Sequence, residues 1–159
     1  YKKELSSRDL SLAYEIATGV VRRKNALDAL AKQQAAVPKK RSEKVLLRMC
    51  LYQLLFLDRI PHFAIGDEMV GLAKKHASAT FAKFLNAFLR NQASKCSLAG
   101  LSRQELLSYP DFFVDCLQRA YGAEKAFEIL ELGNKKMPLF ARDRQEMAMC
   151  AFESDAIND

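Results

Sequence analysis

Clusters of lysine and arginine are the residues of this chain whose type and spacing could do chemistry. Clustered cations bind nucleic-acid phosphates, because each neutralised phosphate releases condensed counterions. The alternative is a solvated basic surface, which many proteins carry. The runs are Arg22-Arg23-Lys24, Lys39-Lys40-Arg41, Lys44, Lys74-Lys75, Lys83 and Arg90. From them we take eight candidate phosphate contacts: Arg22, Arg23, Lys39, Lys40, Arg41, Lys74, Lys83 and Arg90.

The charge of the chain is unevenly distributed. Residues 1–95 contain 18 Lys and Arg against 8 Asp and Glu, whereas residues 96–159 contain 7 against 11. The first part therefore has a net charge of +10 and the second −4, consistent with +6 for the whole chain. This split predicts that the first part meets a polyanion. The longest apolar stretch, Val45 to Leu57, is too short and too polar to span a membrane.

Catalytic and metal-binding patterns do not stand out. The glycines form no G-x-G or P-loop pattern, and no Ser/His/Asp or Cys/His arrangement is visible. The cysteines have no C-x-x-C spacing, so we expect no metal site and a reducing, cytoplasmic setting. Cys50 and Cys116 fall on apolar helical faces and are expected to be core thiols. His62 and His76 are expected to be structural or exposed, and no catalytic residue is assigned. The four cysteines are Cys50, Cys96, Cys116 and Cys150.

Helical periodicity dominates the elements that must position the basic residues. No segment alternates as a strand does, so we predict an all-α protein. Four helices are expected in the first half. They are one from a Ser7 cap through Val21, one from Asn25 to near Pro38, one from a Ser42 cap to about Leu57, and one from Pro61 to Lys74-Lys75. The third is apolar nearly all round and is therefore expected to be the central buried element.

A fifth helix is predicted from an apolar stripe at helical spacing, and it carries Lys83, Asn86 and Arg90 on its opposite side. The stripe consists of Phe81, Phe84, Leu85, Phe88 and Leu89. Because these aromatic rings face the core, they are poor candidates for base stacking. We therefore expect recognition of RNA shape and backbone rather than of single strands.

Beyond residue 92 we predict a linker and more helices. Residues 93–101 are typical of a linker, and Ser102 with Glu105 has the spacing of a capping box. Two further helices are expected, one opened by Pro110 and one between Gly122 and Gly133-Asn134. The tail after Pro138 is expected to be irregular.

The order of several short motifs identifies a family. The run from Leu46 to Arg90 resembles the NusB fold family of helical RNA-binding domains. More closely, the chain is similar to the NusB-like N-terminal domain of the bacterial small-subunit ribosomal RNA cytosine-5 methyltransferases, the RsmB (Sun/Fmu) family. The motifs are Arg8-Asp9, Gly19-Val20-Val21-Arg22, Leu27-Asp28, Leu47-Arg48, Leu51-Tyr52-Gln53-Leu54-Leu55, Ile60-Pro61, Glu68-x-Val70, Leu72-Ala73-Lys74, Asn86-Ala87-x-Leu89-Arg90, Tyr109-Pro110-Asp111-Phe112, Ala120-Tyr121-Gly122 and Pro138-Leu139-Phe140-x-Arg142.

The resemblance implies a helical bundle of two packed small bundles with a helical C-terminal extension. It divides the chain into an RNA-binding domain at 1–95 and, at 96–159, a linker and extension that lead toward a methyltransferase domain outside this chain. The expected function is to bind and orient ribosomal RNA for that methyltransferase, and packing against it is also expected. S-adenosylmethionine would bind in that absent domain, so this chain is not expected to transfer methyl groups alone.

Departures from the family pattern leave alternatives open. The family usually has another helix ahead of the Arg8-Asp9 position, so part of the bundle is expected to be missing. Its Pro-Cys nucleophile is absent, because no cysteine here follows a proline. Arg48 and Asn86 could be structural, tying helices through buried hydrogen bonds. The alternative functions are a NusB-like transcription antitermination factor that binds RNA and a helical protein–protein interaction module.

Overall fold

A computed structural model describes residues 6–33, 37–92 and 97–135, together with the backbone of residues 139–142 and 149–152. Within those ranges it contains eight α-helices, one 3-10 turn and two short strands. The prediction of an all-α class is confirmed, with one short hairpin as a local exception. The chain divides into two compact units, Tyr1–Pro110 and Asp111–Asp159. Among the helices described, none is long and apolar enough to cross a membrane.

The first two helices begin close to their predicted starts. α1 (Ser7–Arg22) is capped by Ser6 rather than Ser7, because the Ser6 hydroxyl accepts the Asp9 amide at 3.2 Å and donates to its carboxylate at 2.7 Å. α2 (Lys24–Gln33) begins one residue before the predicted Asn25. Gly19 of α1 lies against the ring of Tyr52, where a Cβ atom would overlap the phenol. This close approach sets how near α1 lies to the third helix.

The third helix is the central buried element, as predicted. α3 (Arg41–Phe56) buries six side chains, none of them in its first turn: Leu46, Leu47, Cys50, Leu51, Tyr52 and Gln53. The prediction that Ser42 caps it is wrong, because the N-cap residue is Lys40 and Ser42 lies inside the helix. The expected core role of Cys50 is confirmed, since its side chain is fully buried.

Two further helices complete the core of the first unit. α4 (His62–His76) buries Ile65, Met69 and Ala73 and packs against α3 and α5 (Ala79–Gln92). The predicted apolar stripe on α5 is confirmed, because Phe81, Leu85 and Phe88 are buried. Phe84 and Leu89 of the same stripe are partly buried against this core. A buried stripe of this kind leaves the opposite side of α5 free for polar side chains.

An ion pair ties α2 to α3. Arg48 donates from Nε to Asp28 Oδ1 at 2.6 Å and from Nη2 to Asp28 Oδ2 at 2.9 Å. Burial raises the pKa of Asp28, but the hydrogen bonds from Arg48 and Lys24 outweigh it and hold that pKa below its ordinary value. The structural interpretation of Arg48 is therefore confirmed. The same interpretation of Asn86 is wrong, because Asn86 is exposed on α5.

The segment after α5 belongs to the first unit. The predicted linker ends in a 3-10 turn, Leu98–Gly100, and a buried Leu101, while residues 93–96 lie outside the described residues. The predicted capping box is confirmed, since Ser102 and Glu105 cap α6 (Arg103–Leu107) reciprocally. Ser108 then adopts a left-handed conformation with φ of 64°. Its hydroxyl accepts the amides of Asn25 at 2.6 Å and Ala26 at 3.1 Å, which caps α2 from across the sequence.

The second unit contains α7 (Asp111–Tyr121) and α8 (Ala123–Asn134), both confirming the prediction. Gly122 separates them at a φ of 80°, a conformation that favours glycine. The predicted irregular tail is wrong. β1 (Leu139–Arg142) pairs antiparallel with β2 (Met149–Phe152), with Leu139 opposite Phe152. Strands of four residues are too short to show a clear two-residue period. The expected core role of Cys116 is also wrong, because this thiol is exposed on α7.

Candidate nucleic-acid interface

Three candidate phosphate contacts lie together at the start of α3. Lys39, Lys40 and Arg41 are all exposed there, with Lys40 as the N-cap residue and Arg41 as the first helical residue. No described side chain caps this N-terminus. Cations are unfavourable at the positive end of a helix dipole, and uncapped amides there bind anions. Glu43 is the acidic side chain of this first turn, so the three cations leave a net positive charge at the start of α3.

The end of α4 and the start of α5 lie beside the start of α3. The Ser78 hydroxyl donates to Glu43 Oε1 at 2.9 Å, and it also accepts the amide of Phe81 at 3.1 Å. Lys40, Glu43, Ser78 and Thr80 line one open groove of about 390 Å³. Glu43 is the third residue of α3, and its hydrogen bond with Ser78 connects the start of α3 to the start of α5. We name the cations of this region the basic end: Lys39, Lys40, Arg41, Lys74 and Lys75.

Lys74 and Lys75 have a structural explanation that the other three residues lack. Both are exposed in the last turn of α4, where positive charge complements the helix dipole. Their position is therefore consistent with helix stabilisation as well as with phosphate binding. Lys83 and Asn86 are exposed on one side of α5 together with Arg90, as their spacing predicted.

Arg22 and Arg23, adjacent in sequence, have different environments. Arg22 is exposed, whereas the Arg23 guanidinium is half-buried and donates from Nη1 to the carbonyl oxygen of Leu106 at 2.9 Å. Its Cζ also lies 5.4 Å from the centre of the Phe56 ring, which stacks on Tyr52. Burial, followed by the charge of Arg22, lowers the pKa of the Arg23 guanidinium. Arg23 therefore has a structural role, because its guanidinium joins the end of α1 to α6 and α3.

The eight candidate contacts do not form one cluster. Lys39, Lys40, Arg41 and Lys74 lie at the basic end. Arg22, Arg23 and Arg90 lie near the other end, where α3 finishes and α4 begins. A helix of 15 residues such as α4 is about 22 Å long, which sets the scale of their separation. Lys83 lies between the two groups along α5. The assignment of these eight residues to phosphate binding stays a prediction.

Comparison with known proteins explains the helical arrangement. The sequence profile of the NusB family matches residues 1–94. The chain belongs to the NusB family. A protein of Synechocystis sp. named probable ribosomal RNA small subunit methyltransferase B is 29% identical over 151 residues, which is 89% of this chain and 34% of that protein. A Bacillus subtilis protein of the same name is 31% identical over 140 residues, covering 81% of this chain and 31% of the relative.

A third relative gives the same result. The ribosomal RNA small subunit methyltransferase B of Escherichia coli O157:H7 is 28% identical over 147 residues, or 89% of this chain and 34% of that protein. The chain thus spans about a third of the length of the curated relatives that it matches. The resemblance drawn from the sequence motifs is confirmed by these matches.

This NusB-family chain has a groove that was not predicted from the sequence. It lies between the start of α4 and the end of α5 and has a volume of about 320 Å³. The Phe63 side chain on its edge is 75% exposed. Because Phe63 follows Pro61 by two residues, the sequence predicted that it lies in the first turn of a helix. The sequence did not predict that its side chain is exposed. The lining consists of His62, Phe63, Gly66, Asp67, Asn86, Leu89 and Arg90.

A second groove, between α1 and α3, is apolar. It has a volume of about 480 Å³ and is lined mainly by alanine, valine, isoleucine and methionine side chains. Val21 of α1, which lines this groove, is 76% exposed, and Leu10 and Tyr14 of the same helix are 55% and 72% exposed. Their spacing repeats along one face of the helix, so α1 presents an unpartnered apolar stripe in the part of this NusB-family chain that the structure describes.

The side chains that could ligate a metal do not cluster in the ranges that the structure covers. Within them, no group of three or more His, Cys, Asp and Glu side chains could hold a metal ion. His62 and His76 are both exposed, in agreement with the prediction for these residues. Cys96 lies outside the described residues, and Cys150 lies in β2, where only the backbone is described.

Proposed function

We propose that the first unit binds ribosomal RNA and helps a cytosine-5 methyltransferase to bind and orient its substrate. The observation that carries the proposal is the start of α3, where Lys39, Lys40 and Arg41 surround a helix N-terminus that no described side chain caps. The names of the relatives supply the substrate class. The geometry supports contact with the RNA backbone.

The energetics at this position favour an anionic partner. A cation in the first turn of a helix costs typically about 0.3–1 kcal/mol relative to a neutral residue. Arg41 is the first helical residue and Lys40 the N-cap residue, so an anion bound here would remove an unfavourable interaction with the helix dipole. A phosphate group offsets this cost twice, since it accepts hydrogen bonds from the free amides and neutralises the side chains. RNA supplies such phosphates at regular spacing, and binding energy at a site remote from the reaction positions a substrate.

The methyl-transfer chemistry in this proposal lies outside the chain. S-adenosylmethionine would be held by the methyltransferase domain of a longer cytoplasmic protein. Residues 96–159 would lead to that domain and pack against it. Residues 1–95 would be the RNA-binding domain. No step of methyl transfer is assigned to any residue described here.

A charge-removal experiment tests RNA binding. The variant Lys39→Gln/Lys40→Gln/Arg41→Gln removes three cations from the start of α3. Loss of three phosphate contacts should reduce the slope of log affinity against log salt by about 2 for a ribosomal RNA fragment. Helix stability should stay equal or rise, because the cations oppose the dipole. The two changes together separate loss of contact from loss of fold.

The matched control removes the same charge from the second unit. Arg119, Lys125 and Lys135 are exposed on or beside α7 and α8. Replacing these three by glutamine should leave the salt slope nearly unchanged. Equal losses in the two triple variants would mean that net charge alone drives binding. Undetectable binding of the wild-type chain at low salt would reject RNA as the ligand and favour the protein–protein alternative.

A further inference from the structure

The groove between α4 and α5 combines features that a basic surface for phosphate contacts does not need. Phe63 is 75% exposed at its edge, and the side chains of His62, Asn86 and Arg90 line it from solvent-accessible positions. A single exposed phenylalanine has no meaning by itself. Here an aromatic ring, a cation and an amide face one recess of about 320 Å³. This volume is near the lower limit of small-molecule sites, about 300 Å³.

We propose that this groove holds one unpaired nucleotide of the bound RNA, with its base stacked on Phe63 and its phosphate on Arg90. The inference rests on the proposed function and extends it from backbone contact to a defined subsite. Aromatic side chains bind unpaired bases through their faces, with little dependence on sequence. Arginine offers paired donors that match phosphate oxygens.

The start of α4 adds to the attraction for the phosphate. Pro61 is the N-cap residue of α4, and no described side chain caps this helix end. The helix has 15 residues, so its N-terminal dipole is fully developed. Arg90 lines the same groove from the last turn of α5. A phosphate between them would meet positive potential from the start of α4 and from the guanidinium.

The remaining polar groups of the groove suit the base and the ribose. The Asn86 amide can donate and accept at a base edge. Asp67 also lines the groove, and its carboxylate would repel a phosphate placed beside it. It can instead accept a hydrogen bond from a base amino group or a ribose hydroxyl. The arrangement therefore favours a whole nucleotide over a free phosphate ion.

Gly66 lines the groove and leaves room there for a larger side chain. A Cβ atom built on Gly66 would meet only Leu89 Cδ1, at 3.8 Å, which is an ordinary contact. A longer side chain at position 66 would therefore extend into the recess without displacing buried residues. Gly66→Gln gives a way to fill the groove while both Phe63 and Arg90 are retained.

This inference modifies the expectation that RNA is read by shape and backbone alone. That expectation was based on Phe81, Phe84 and Phe88, which do face the core. Phe63 is not on that stripe. Its exposure leaves one aromatic face available for stacking in a unit whose other described phenylalanines are packed.

Fluorescence provides a direct test, because the chain contains no tryptophan. Phe63→Trp introduces a single reporter at the groove, and Phe112→Trp places one on α7 of the second unit, where Phe112 is 71% exposed. Titration with a single-stranded ribosomal RNA fragment should quench the first reporter and leave the second unchanged. Absence of quenching at position 63 while the RNA is bound would overturn the inference.

Affinity measurements separate this inference from the proposed function. Phe63→Ala should weaken binding of single-stranded RNA by about 5- to 100-fold, whereas Phe112→Ala should not. Gly66→Gln should produce a similar loss, and Arg90→Gln should lower the salt slope by about 0.7. Because Phe63 and Phe112 are exposed, thermal melting of both alanine variants should match that of the wild type.

Each result has one meaning. Salt-dependent RNA binding that is equal in wild type, Phe63→Ala and Gly66→Gln would overturn the subsite while leaving the proposed function intact. Loss of all RNA binding by the wild type would overturn both. Quenching of the reporter in the Phe63→Trp variant by an acidic peptide but not by RNA would reject the nucleotide and assign the groove to a protein partner.

Discussion

Replacing Arg23 by alanine should destabilise the first unit without changing the salt dependence of RNA binding. Arg23 loses two interactions in this variant, the hydrogen bond to the Leu106 carbonyl at 2.9 Å and the contact with the Phe56 ring at 5.4 Å. Hydrogen bonds from charged donors contribute about 1.5–3 kcal/mol, and half-exposure places this one near the lower limit. The cation–π contact adds about 0.5–1 kcal/mol. We therefore expect a loss of about 2 kcal/mol.

The adjacent Arg22 is the matched control. It has the same charge and is exposed at the end of α1. Arg22→Ala should leave stability within about 0.5 kcal/mol of wild type, as for most surface substitutions. If Arg22 contacts a phosphate, its loss should reduce the salt slope by about 0.7–0.9. Arg23→Ala is therefore expected to lower the stability and leave the salt slope unchanged. Arg22→Ala is expected to leave the stability unchanged and, if Arg22 contacts a phosphate, to lower the salt slope.

Two assays are sufficient. Urea denaturation followed by far-ultraviolet circular dichroism gives the change in unfolding free energy. Binding of a ribosomal RNA fragment at several salt concentrations gives the slope. Arg23→Lys adds a third variant, which retains the charge but not the planar donor group. The reasoning would be refuted if Arg23→Ala were as stable as wild type and bound RNA with a reduced slope.

Two further substitutions test the packing and the electrostatics of the first unit. Gly19→Ala should cost about 1 kcal/mol net, because overpacking against Tyr52 costs about 1–3 kcal/mol and the gain in helix propensity returns about 1. In a Tyr52→Leu background the same change should stabilise, and destabilisation in both backgrounds would count against the contact. Asp28→Asn should cost about 1–3 kcal/mol at neutral pH, because it breaks the pair with Arg48. Since the folded-state pKa of Asp28 is lowered, its contribution is present above the unfolded pKa of about 3.9 and is lost as pH falls through the folded value. Urea denaturation at a series of pH values should therefore show the difference between wild type and Asp28→Asn narrowing below about pH 4, and a constant difference would contradict this explanation.

The helices were predictable because their signals are local. The stripe on α5, the capping box at Ser102 and the break at Gly122 each depend on residues within one or two turns. The predicted start of α3 was wrong because a local signal favoured the wrong residue. Ser42 has the side chain of a typical N-cap, but the helix begins earlier, with Lys40 at that position. The first turn of α3 also makes a contact that no local pattern contains, the hydrogen bond from Ser78 to the Glu43 carboxylate.

The environments of single side chains were not predictable. Arg22 and Arg23 are identical in sequence terms, yet only Arg23 reaches the Leu106 carbonyl, 83 residues away. Cys116 lies at apolar helical spacing but is exposed, and Phe63 is exposed although its residue type favours burial. In each case the outcome depends on which other helix lies opposite, information that no local window contains.

The cap on α2 has a consequence for the order in which the chain folds during synthesis. The Ser108 hydroxyl that accepts the Asn25 and Ala26 amides follows them by more than 80 residues. Chains emerge from the ribosome N-terminus first. The start of α2 must therefore remain without this partner until the segment past α6 has been translated. Closing so long a loop carries an entropic cost, which delays this contact relative to the local turns of α1 and α3. A nascent chain stopped at residue 94 would contain the whole NusB match and still lack the hydroxyl that completes its second helix.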